Sequence, residues 1–325
     1  MRLTSEQIKN IAFGAVNIFE DTQGIHFRKF SERQIDLWFG VRHDLGCRAK
    51  DTTGVRVDFF TNSTEIRFKA SGGDSFDLYV DGILRKRFDT KAMRESGEQA
   101  CFSLTDPLGA PLDKARVTLY FPSHSEGVLE YLSLDDGAYA EPYTYHKKFL
   151  FLGDSITQGA IAEYDSLSYA HRVSRFFEAD SLIQSISGSY FKADAFEPTE
   201  HNPDTVIIAY GTNDFAHFQS YEDMEKAASD FFDGVKSAYG KTAKNVFYVS
   251  APWQRDYEKI RAMGSFAESR KRLALVAISK GFVHIDGLTL LPSSTEFLAD
   301  GFLHPNALGF GIYAENLIKQ MIRYM

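Results

Sequence analysis

The segment FLFLGDSITQG at residues 149–159 indicates how the second half of this 325-residue chain folds. Phe149–Leu152 is a short apolar run that predicts a buried strand, and the chain then enters a turn that holds Ser155. Further apolar runs of this kind lie at 206–208, 246–249 and 282–285. Stretches with helical spacing of apolar residues lie at 221–239, 265–280 and 304–324. Strands that are apolar on both faces and alternate with helices predict a parallel sheet covered by helices on both sides.

The first half has a different pattern. Up to about residue 140, short runs alternate apolar and polar residues, as in Val55, Val57 and Phe59, and almost no helical spacing follows the first turns of the chain. Turn sequences such as Asp81-Gly82 separate these runs. Such short strands predict an antiparallel β-sandwich that resembles a jelly roll. We therefore expect a β-sandwich domain at 1–145 and an α/β domain at 146–325.

Charge and composition exclude several classes of function. The chain has 36 basic and 44 acidic residues, a net charge of -8, and no basic cluster of the kind that binds nucleic acid. The first twenty residues carry charge throughout, and no stretch of 18 apolar residues is present, so we expect a cytoplasmic protein that binds no membrane. Cys47 and Cys101 are expected to be small buried side chains of a reducing compartment, with a disulfide between them as the alternative. No His or Cys cluster has the spacing of metal ligands, so we expect no metal or cofactor.

Ser155 is the first candidate for chemistry because it follows a strand directly, at the edge of the sheet where α/β proteins bind ligands. Free backbone N–H groups at the start of a following helix favour negative charge there. The three letters Gly-Asp-Ser are weak evidence, since Gly73-Asp74-Ser75 repeats them in a turn of the first half. Taken alone, Ser155 could equally cap a helix.

Other polar residues are expected at the same edge of the sheet. Asn213 follows the strand run at 206–208 and can donate its amide N–H to an oxyanion. Gly188 follows another predicted strand, and a glycine lets its own N–H approach a substrate. His304 lies just before the last helix, where it can serve as the general base that a serine hydroxyl needs. Asp154 and Asp214 are expected to brace their turns.

These blocks resemble the SGNH or GDSL hydrolases, a family of esterases and lipases, over roughly residues 147–325. The resemblance implies a flavodoxin-like three-layer α/β fold and needs no cofactor. It implies that Ser155 is the nucleophile, that Gly188 and Asn213 are oxyanion-hole donors and that His304 is the base.

One residue departs from the family pattern. The family usually has an Asp three residues before the His, and here that position is Gly301, with Asp300 four residues before His304. Two arrangements stay open. Either Asp300 completes a catalytic triad across the longer loop, or the site is a Ser–His dyad.

A second resemblance concerns the substrate. Asp77-Leu78-Tyr79 resembles the signature of a β domain that precedes certain SGNH enzymes, and several carbohydrate esterases share this order of domains. The resemblance favours removal of a small acyl group, acetyl above all, from an oligosaccharide or another small-molecule ester. An acyltransferase using the same site and a catalytically degenerate glycan-binding protein remain alternatives.

Four further residues follow predicted strands or lie within predicted elements. Trp253 and Arg255 are candidate substrate-binding residues, as a sugar platform or an anion contact, or else anchors of an ordinary loop. His171 and His284 are expected to be packed or hydrogen-bonded side chains rather than catalysts.

Overall fold

The computed structural model describes residues 1–106, 108–110 and 112–325. The chain folds into two compact units. The first contains residues 1–31, 50–145 and 164–166, and the second contains residues 32–49, 146–163 and 167–325. The single boundary expected after residue 145 therefore assigns two segments to the wrong unit: residues 32–49 lie in the second unit and residues 164–166 in the first. Residues 32–49 are helical and belong to the parallel-sheet unit, where the Gln34 side chain donates to the carbonyl of Ala195 at 2.8 Å.

The elements of the described residues are as follows. The strands are β1 (Ala12–Phe13), β2 (Asn17–Asp21), β3 (Gly24–Arg28), β4 (Arg56–Thr61), β5 (Glu65–Gly72), β6 (Ser75–Val80), β7 (Ile83–Asp89), β8 (Ala100–Ser103), β9 (Ala115–Tyr120), β10 (Val128–Ser133), β11 (Glu141–Pro142), β12 (Lys147–Gly153), β13 (Ala179–Ser185), β14 (Thr205–Ala209), β15 (Asn245–Val249) and β16 (Val283–Ile285). The helices are α1 (Ser5–Asn10), α2 (Glu32–Val41), α3 (His43–Ala49), α4 (Thr90–Ser96), α5 (Ser155–Gln158), α6 (Tyr169–Phe176), α7 (Thr212–His217), α8 (Tyr221–Tyr239), α9 (Phe266–Ser279) and α10 (Ala307–Met321). Short 3₁₀ turns cover Asp165–Leu167, Ala193–Ala195, Gly287–Thr289 and Thr295–Phe297.

The first unit contains two antiparallel sheets. One has the strand order β1-β4-β9-β6-β7, with β11 paired to β4, and the other has the order β2-β3-β10-β5-β8. Both contribute to one apolar core, which includes Phe59 and Leu119 from the first sheet and Phe68 and Leu132 from the second. The antiparallel strands expected from the alternating pattern are confirmed, and the jelly-roll-like connection of these strands remains a prediction.

The Asp-Leu-Tyr sequence of β6 binds a short segment of the first unit. Asp77 accepts the backbone N–H of Ser166 at 3.0 Å, and the hydroxyl of Tyr79 lies 3.0 Å from that of Ser166. Ser75 donates to the Asp165 carboxylate at 3.1 Å. These bonds explain why residues 164–166 belong to the β unit although they follow the boundary expected from the sequence.

The second unit is a doubly wound α/β fold. Its sheet is parallel, in the order β13-β12-β14-β15-β16, which corresponds to 2-1-3-4-5 and is the flavodoxin-like order. Phe149 and Phe151 of β12 enter a core with α6 and α10, while Leu150 and Leu152 enter a second core with α8 and α9. The predicted three layers are therefore confirmed. Because the strand order reverses between β12 and β14, ligands of such sheets bind beyond the ends of these two strands.

Three expectations from the sequence are wrong. The first half contains α2, α3 and α4, where almost no helix was expected. In α2 and α3 the side chains of Ile35, Trp38, Leu45 and Ala49 are buried, and both helices belong to the parallel-sheet unit, where the Trp38 ring contacts that of Tyr190. Cys47 and Cys101 are exposed and unpaired rather than buried. Helix α10 begins at Ala307 rather than at 304, because Asn306 caps it by accepting the N–H of Gly309.

Candidate active site

Ser155 lies at the carboxyl end of β12, as the sequence predicts. It is the first residue of α5, a single turn of four residues that Asp154 caps by accepting the N–H of Ile156 at 3.0 Å. Gly159 ends the turn in a left-handed conformation with φ of 88°. The first N–H groups of a helix have no partner within it, so the backbone N–H of Ser155 is available to a ligand.

Ser155, His304 and Asp300 form a continuous chain of hydrogen bonds. Nε2 of His304 lies 2.8 Å from Oγ of Ser155, and Nδ1 lies 2.7 Å from Oδ2 of Asp300. With Nδ1–H donating to the carboxylate, Nε2 of a neutral ring is free to accept the serine proton. The arrangement has the geometry of a nucleophile, its general base and the group that orients the base.

The one-residue insertion before His304 is accommodated within the loop itself. Oδ1 of Asp300 accepts the backbone N–H groups of Phe302 and Leu303 at 2.8 Å and that of His304 at 3.2 Å. Gly301 takes a left-handed conformation with φ of 61°, which a glycine adopts without strain. Partial burial alone would raise the pKa of Asp300, but the hydrogen bonds from Leu303, the His304 ring and Phe302 outweigh it and lower the pKa to about 2. The geometry therefore favours a triad over a dyad.

The Gly188 loop, residues 186–189, is tied to the segment that carries Ser155. Ile186 donates its N–H to the carbonyl of Gly153 at 3.2 Å, and Ser187 donates its N–H to Oε1 of Gln158 at 2.6 Å. Gly188 has φ of 91°, and its own N–H donates to no protein group among the described residues. That N–H is therefore available to a ligand, as an oxyanion-hole donor requires.

Asn213, the second residue of α7, follows β14 and reaches the same loop. Its Nδ2 donates one hydrogen to the carbonyl of Ser189 at 2.9 Å, which fixes the orientation of the amide. The second hydrogen of Nδ2 has no protein acceptor among the described residues. A fixed amide with one free N–H is a suitable donor to a developing oxyanion.

Asp154 and Asp214 brace the turns beneath the site. Both side chains are buried, and burial raises the pKa of each carboxyl to about 7. Asp214 accepts the backbone N–H of Phe191 at 2.7 Å, two residues beyond the Gly188 loop. Neither carboxylate is hydrogen-bonded to Ser155 or His304, so their role is structural, as the sequence predicts.

Trp253 and Arg255 are not hydrogen-bonded to the triad. Trp253 is half-buried and packs against the core that α6 and α10 cover. Arg255 donates its backbone N–H to the carbonyl of Phe302 at 2.8 Å, and its guanidinium lies 5.0 Å from the centre of the Phe302 ring. These two contacts make Arg255 an anchor of the loop that carries Asp300 and His304. The contact of Trp253 and Arg255 with substrate stays a prediction.

The two remaining histidines of the sequence analysis are hydrogen-bonded within the fold. Nδ1 of His171 lies 2.7 Å from Oγ of Ser168, and Nε2 of His284 lies 3.2 Å from Oγ of Ser250. Within the described ranges of the chain, no group of three or more His, Cys, Asp or Glu side chains is placed to hold a metal ion. No described helix is both long enough and apolar enough to cross a membrane.

Two contacts to the Gly188 loop come from residues that the sequence reasoning did not single out. One is Gln158, at the end of α5, and the other is Arg48, at the end of α3, which donates from Nη1 to the carbonyl of Ser187 at 2.6 Å. Gln158 lies in the same segment as Ser155, at the end of the turn, so the sequence could have indicated that it lies near the site. Arg48 is 139 residues from Ser187, and no local pattern indicates that contact.

Comparison with known proteins identifies the family of the second half of the chain. Residues 151–312 match the GDSL-like lipase/acylhydrolase family. A comparison with curated protein sequences finds no significant match. Similar solved structures include the salicylyl acyltransferase SsfX3 from a tetracycline biosynthetic pathway, which is 19% identical with a TM-score of 0.79, over 96% of this chain and 94% of that one.

Two carbohydrate-active enzymes share the fold as well. A family two carbohydrate esterase from Clostridium thermocellum in complex with cellohexaose is 18% identical with a TM-score of 0.62, over 96% of this chain and 99% of that one. The acetyl xylan esterase Est2A from the rumen bacterium Butyrivibrio proteoclasticus is 14% identical with a TM-score of 0.60, over 100% of this chain and 99% of that one. With the family match centred on the half of the chain that holds Ser155 and His304, the protein belongs to the GDSL-like lipase/acylhydrolase (SGNH hydrolase) family and is a serine acylhydrolase.

Proposed function

We propose that the protein is a serine ester hydrolase that removes a small acyl group, preferably acetyl, from a carbohydrate or another hydroxyl-bearing small molecule. The observation that carries this proposal is the unbroken chain of hydrogen bonds from Ser155 through His304 to Asp300. A serine hydroxyl is a weak nucleophile on its own, and a base held in one tautomer is what activates it.

In the first half-reaction, Oγ of Ser155 attacks the ester carbonyl while Nε2 of His304 takes the hydroxyl proton. Asp300 stabilises the imidazolium that forms, and its low pKa keeps it ionised throughout. The negative charge on the former carbonyl oxygen is stabilised by the N–H groups of Gly188 and Ser155 and by the amide of Asn213. The imidazolium then protonates the leaving alcohol, and the acyl group stays on Ser155.

The second half-reaction returns the enzyme to its starting state. His304 accepts a proton from water, and the resulting hydroxide attacks the acyl-enzyme at the same carbonyl carbon. The same donors stabilise the second tetrahedral intermediate, and its collapse releases the acid and reprotonates Ser155.

The substrate class rests on the resemblance of architecture. The carbohydrate esterases named above are similar to this chain along almost its whole length. A fold shared at such low identity supports a sugar ester as the first class to test and does not exclude other small-molecule esters.

The decisive experiment measures hydrolysis of an activated acetyl ester by the parent protein and by two serine variants. We expect Ser155→Ala to abolish turnover. Ser75→Ala is the matched control, because it lies in the second Gly-Asp-Ser sequence and should keep near-parental rates. Equal activity in the parent and in Ser155→Ala would refute the hydrolase proposal. Acetylated oligosaccharides, lipid esters and aryl esters then rank the substrate classes.

Acyl transfer is the second candidate, and the fold similarity to a salicylyl acyltransferase at a TM-score of 0.79 favours including it. Transfer uses the same acyl-enzyme, with a substrate hydroxyl replacing water in the second half-reaction. Addition of sugar alcohols or other hydroxyl acceptors distinguishes the two activities. Faster release of the first alcohol together with a new ester product indicates transfer, whereas release of free acid at an unchanged rate indicates hydrolysis.

A further inference from the structure

We propose that Arg48 is a positioning residue of the oxyanion hole, which aims and polarises the peptide group between Ser187 and Gly188. This inference rests on the proposed function, because it concerns how the same site stabilises the tetrahedral intermediate. It assigns a role to α3, a helix from the first half of the chain that belongs to the parallel-sheet unit.

The peptide group between Ser187 and Gly188 is planar, and this links the directions of its two polar ends. The carbonyl of Ser187 and the N–H of Gly188 belong to the same planar trans peptide group, so they point in opposite directions. Nη1 of Arg48 donates to that carbonyl at 2.6 Å. A donor that fixes the direction of the carbonyl therefore also fixes the direction of the Gly188 N–H, which is the group proposed to bind the oxyanion.

Ser187 is also held by Gln158, through its backbone N–H and its hydroxyl. Oε1 of Gln158 accepts the backbone N–H of Ser187 at 2.6 Å and the hydroxyl of Ser187 at 2.8 Å. Rotation of the 187–188 peptide group would break its bond to Arg48, and displacement of Ser187 would break its bonds to Gln158. Gly188 itself has φ of 91°, in a region of backbone space where glycine is mobile, so external contacts are needed to hold it.

The charge of Arg48 adds to the effect. A hydrogen bond from a guanidinium to a carbonyl is stronger than one between neutral groups and draws electron density along the peptide group, which makes the N–H at its other end a better donor. Asp44 holds this guanidinium, with Oδ2 at 3.2 Å from Nη2 of Arg48. The direction of the Gly188 N–H is therefore fixed before a substrate binds, as electrostatic stabilisation of a transition state requires.

Arg42 provides a matched control in the same place. A β-carbon added at Gly188 would lie 3.3 Å from Nη2 of Arg42 and 3.3 Å from Nη1 of Arg48, so both guanidiniums lie beside this glycine. Arg42 is paired to Asp44 through Nε and Nη2 but makes no hydrogen bond to the Gly188 loop within the described residues. The two arginines therefore share their surroundings and their acidic partner and differ in the bond to Ser187.

The experiment compares kcat and KM for a neutral acetyl ester in Arg48→Ala, Arg48→Lys and Arg42→Ala. We expect Arg48→Ala to lower kcat by about 10- to 100-fold with little change in KM, somewhat less than the loss of a whole oxyanion donor. Arg48→Lys keeps the charge and one donor and should recover part of the loss. Arg42→Ala should stay within about threefold of the parent, because it leaves the Ser187 bond intact.

A second readout separates positioning from general damage. A boronic acid that forms a tetrahedral adduct with Ser155 mimics the intermediate, so its affinity should fall in Arg48→Ala by about the same factor as kcat. Thermal unfolding of each variant shows whether it is folded. If Arg48→Ala does not fold, Arg48→Lys is used to test the proposal. A folded Arg48→Lys with lowered kcat and lowered boronate affinity supports it.

Three results would overturn it. The first is a folded Arg48→Ala with parental kcat and boronate affinity. The second is an equal loss of kcat in Arg42→Ala. The third comes from repeating the kinetics with an anionic ester: a rise of KM in both arginine variants that is confined to that ester, with parental kcat for the neutral one, would make the pair a substrate-anion site instead. A parent that hydrolyses no ester would contradict the proposed function, and boronate binding would still decide the role of Arg48.

Discussion

Asp300 accepts four hydrogen bonds, and only one of them comes from the imidazole ring of His304. The other three come from backbone N–H groups of its own loop. The carboxylate therefore orients the ring and shapes the loop at once, and its pKa of about 2 keeps it ionised in mild acid as well as at neutral pH. Loss of activity in mild acid should accordingly not arise from protonation of Asp300.

We expect Asp300→Asn to lower kcat by about 10²- to 10⁴-fold while the protein stays folded. The amide oxygen of Asn can still accept the backbone N–H groups, but its NH₂ group would face Nδ1 of His304. The ring would then carry its proton on Nε2, where it cannot take a proton from Ser155. Asp256→Asn, in the neighbouring loop, is the control. A kcat within threefold of the parent would show that the site works as a dyad.

Among single residues, those whose roles follow from local sequence could be predicted. Ser155 and Asn213 each follow an apolar strand run directly, and His304 precedes a helix, so their common edge of the sheet follows from the strand order of such folds. Whether Asp300 reaches the ring depended on the path of a loop with one extra residue, which spacing alone does not define. The bond from Arg48 to Ser187 joins distant parts of the chain and required the structure.

At the scale of secondary-structure elements, the carboxyl group of Asp154, between β12 and α5, makes the stability of the fold depend on pH. Asp154 caps α5 and is only 2% exposed, and burial raises the pKa of its carboxyl to about 7, whereas an unfolded chain gives Asp a pKa of about 4. Below about pH 4 both states are protonated. As the pH rises towards 7 the unfolded state releases this proton first, so the contribution of Asp154 to stability is lost.

The free energy of unfolding of the parent should decrease between pH 5 and pH 8 as Asp154 ionises. We expect this decrease to be about 2 kcal/mol smaller in Asp154→Asn, because the amide does not ionise. Asn caps a helix about as well as Asp, so the turn should be kept. Urea unfolding at the two pH values measures the effect. Asp230→Asn, which removes a carboxylate from the surface of α8, is the control. Parallel curves for the parent and Asp154→Asn would contradict the prediction.

The elements of the second unit followed from the sequence because their apolar residues repeat at strand or helix spacing over whole segments. Helix α8, for example, lies at Tyr221–Tyr239, as its spacing predicts. Helices α2 and α3 were not predicted from the sequence, although their buried residues Ile35, Trp38, Leu45 and Ala49 lie three, seven and four residues apart. Their segment lies between strand runs of the first half, and a pattern within 1–145 does not reveal that these helices belong to the other unit.

At the scale of the whole molecule, the two units are not two consecutive pieces of chain. Residues 32–49 leave the β unit and contribute buried side chains and the Arg48 contact to the parallel-sheet unit. The parallel-sheet unit therefore depends on a segment that precedes it in the sequence by about a hundred residues.

We expect a fragment of residues 146–325 to unfold at a lower temperature than the full chain and to hydrolyse an acetyl ester at least about tenfold more slowly. The fragment lacks the burial that α2 and α3 provide and the donor that fixes the Gly188 loop. The control is the full chain cleaved by a protease at a site engineered between 145 and 146, because it keeps residues 32–49. Full activity of the isolated fragment would show that α2 and α3 are dispensable.

The loop that wraps around Asp300 has a consequence for how such enzymes are recognised. Because the carboxylate gathers the amides of the residues that follow it, the number of residues between acid and base can change while the ring stays within reach. Searches that demand a fixed interval between these two residues would discard this chain as inactive. A better criterion for competent relatives is an acidic residue followed by a glycine and a run of residues whose backbone N–H groups can reach that carboxylate, ending at the histidine.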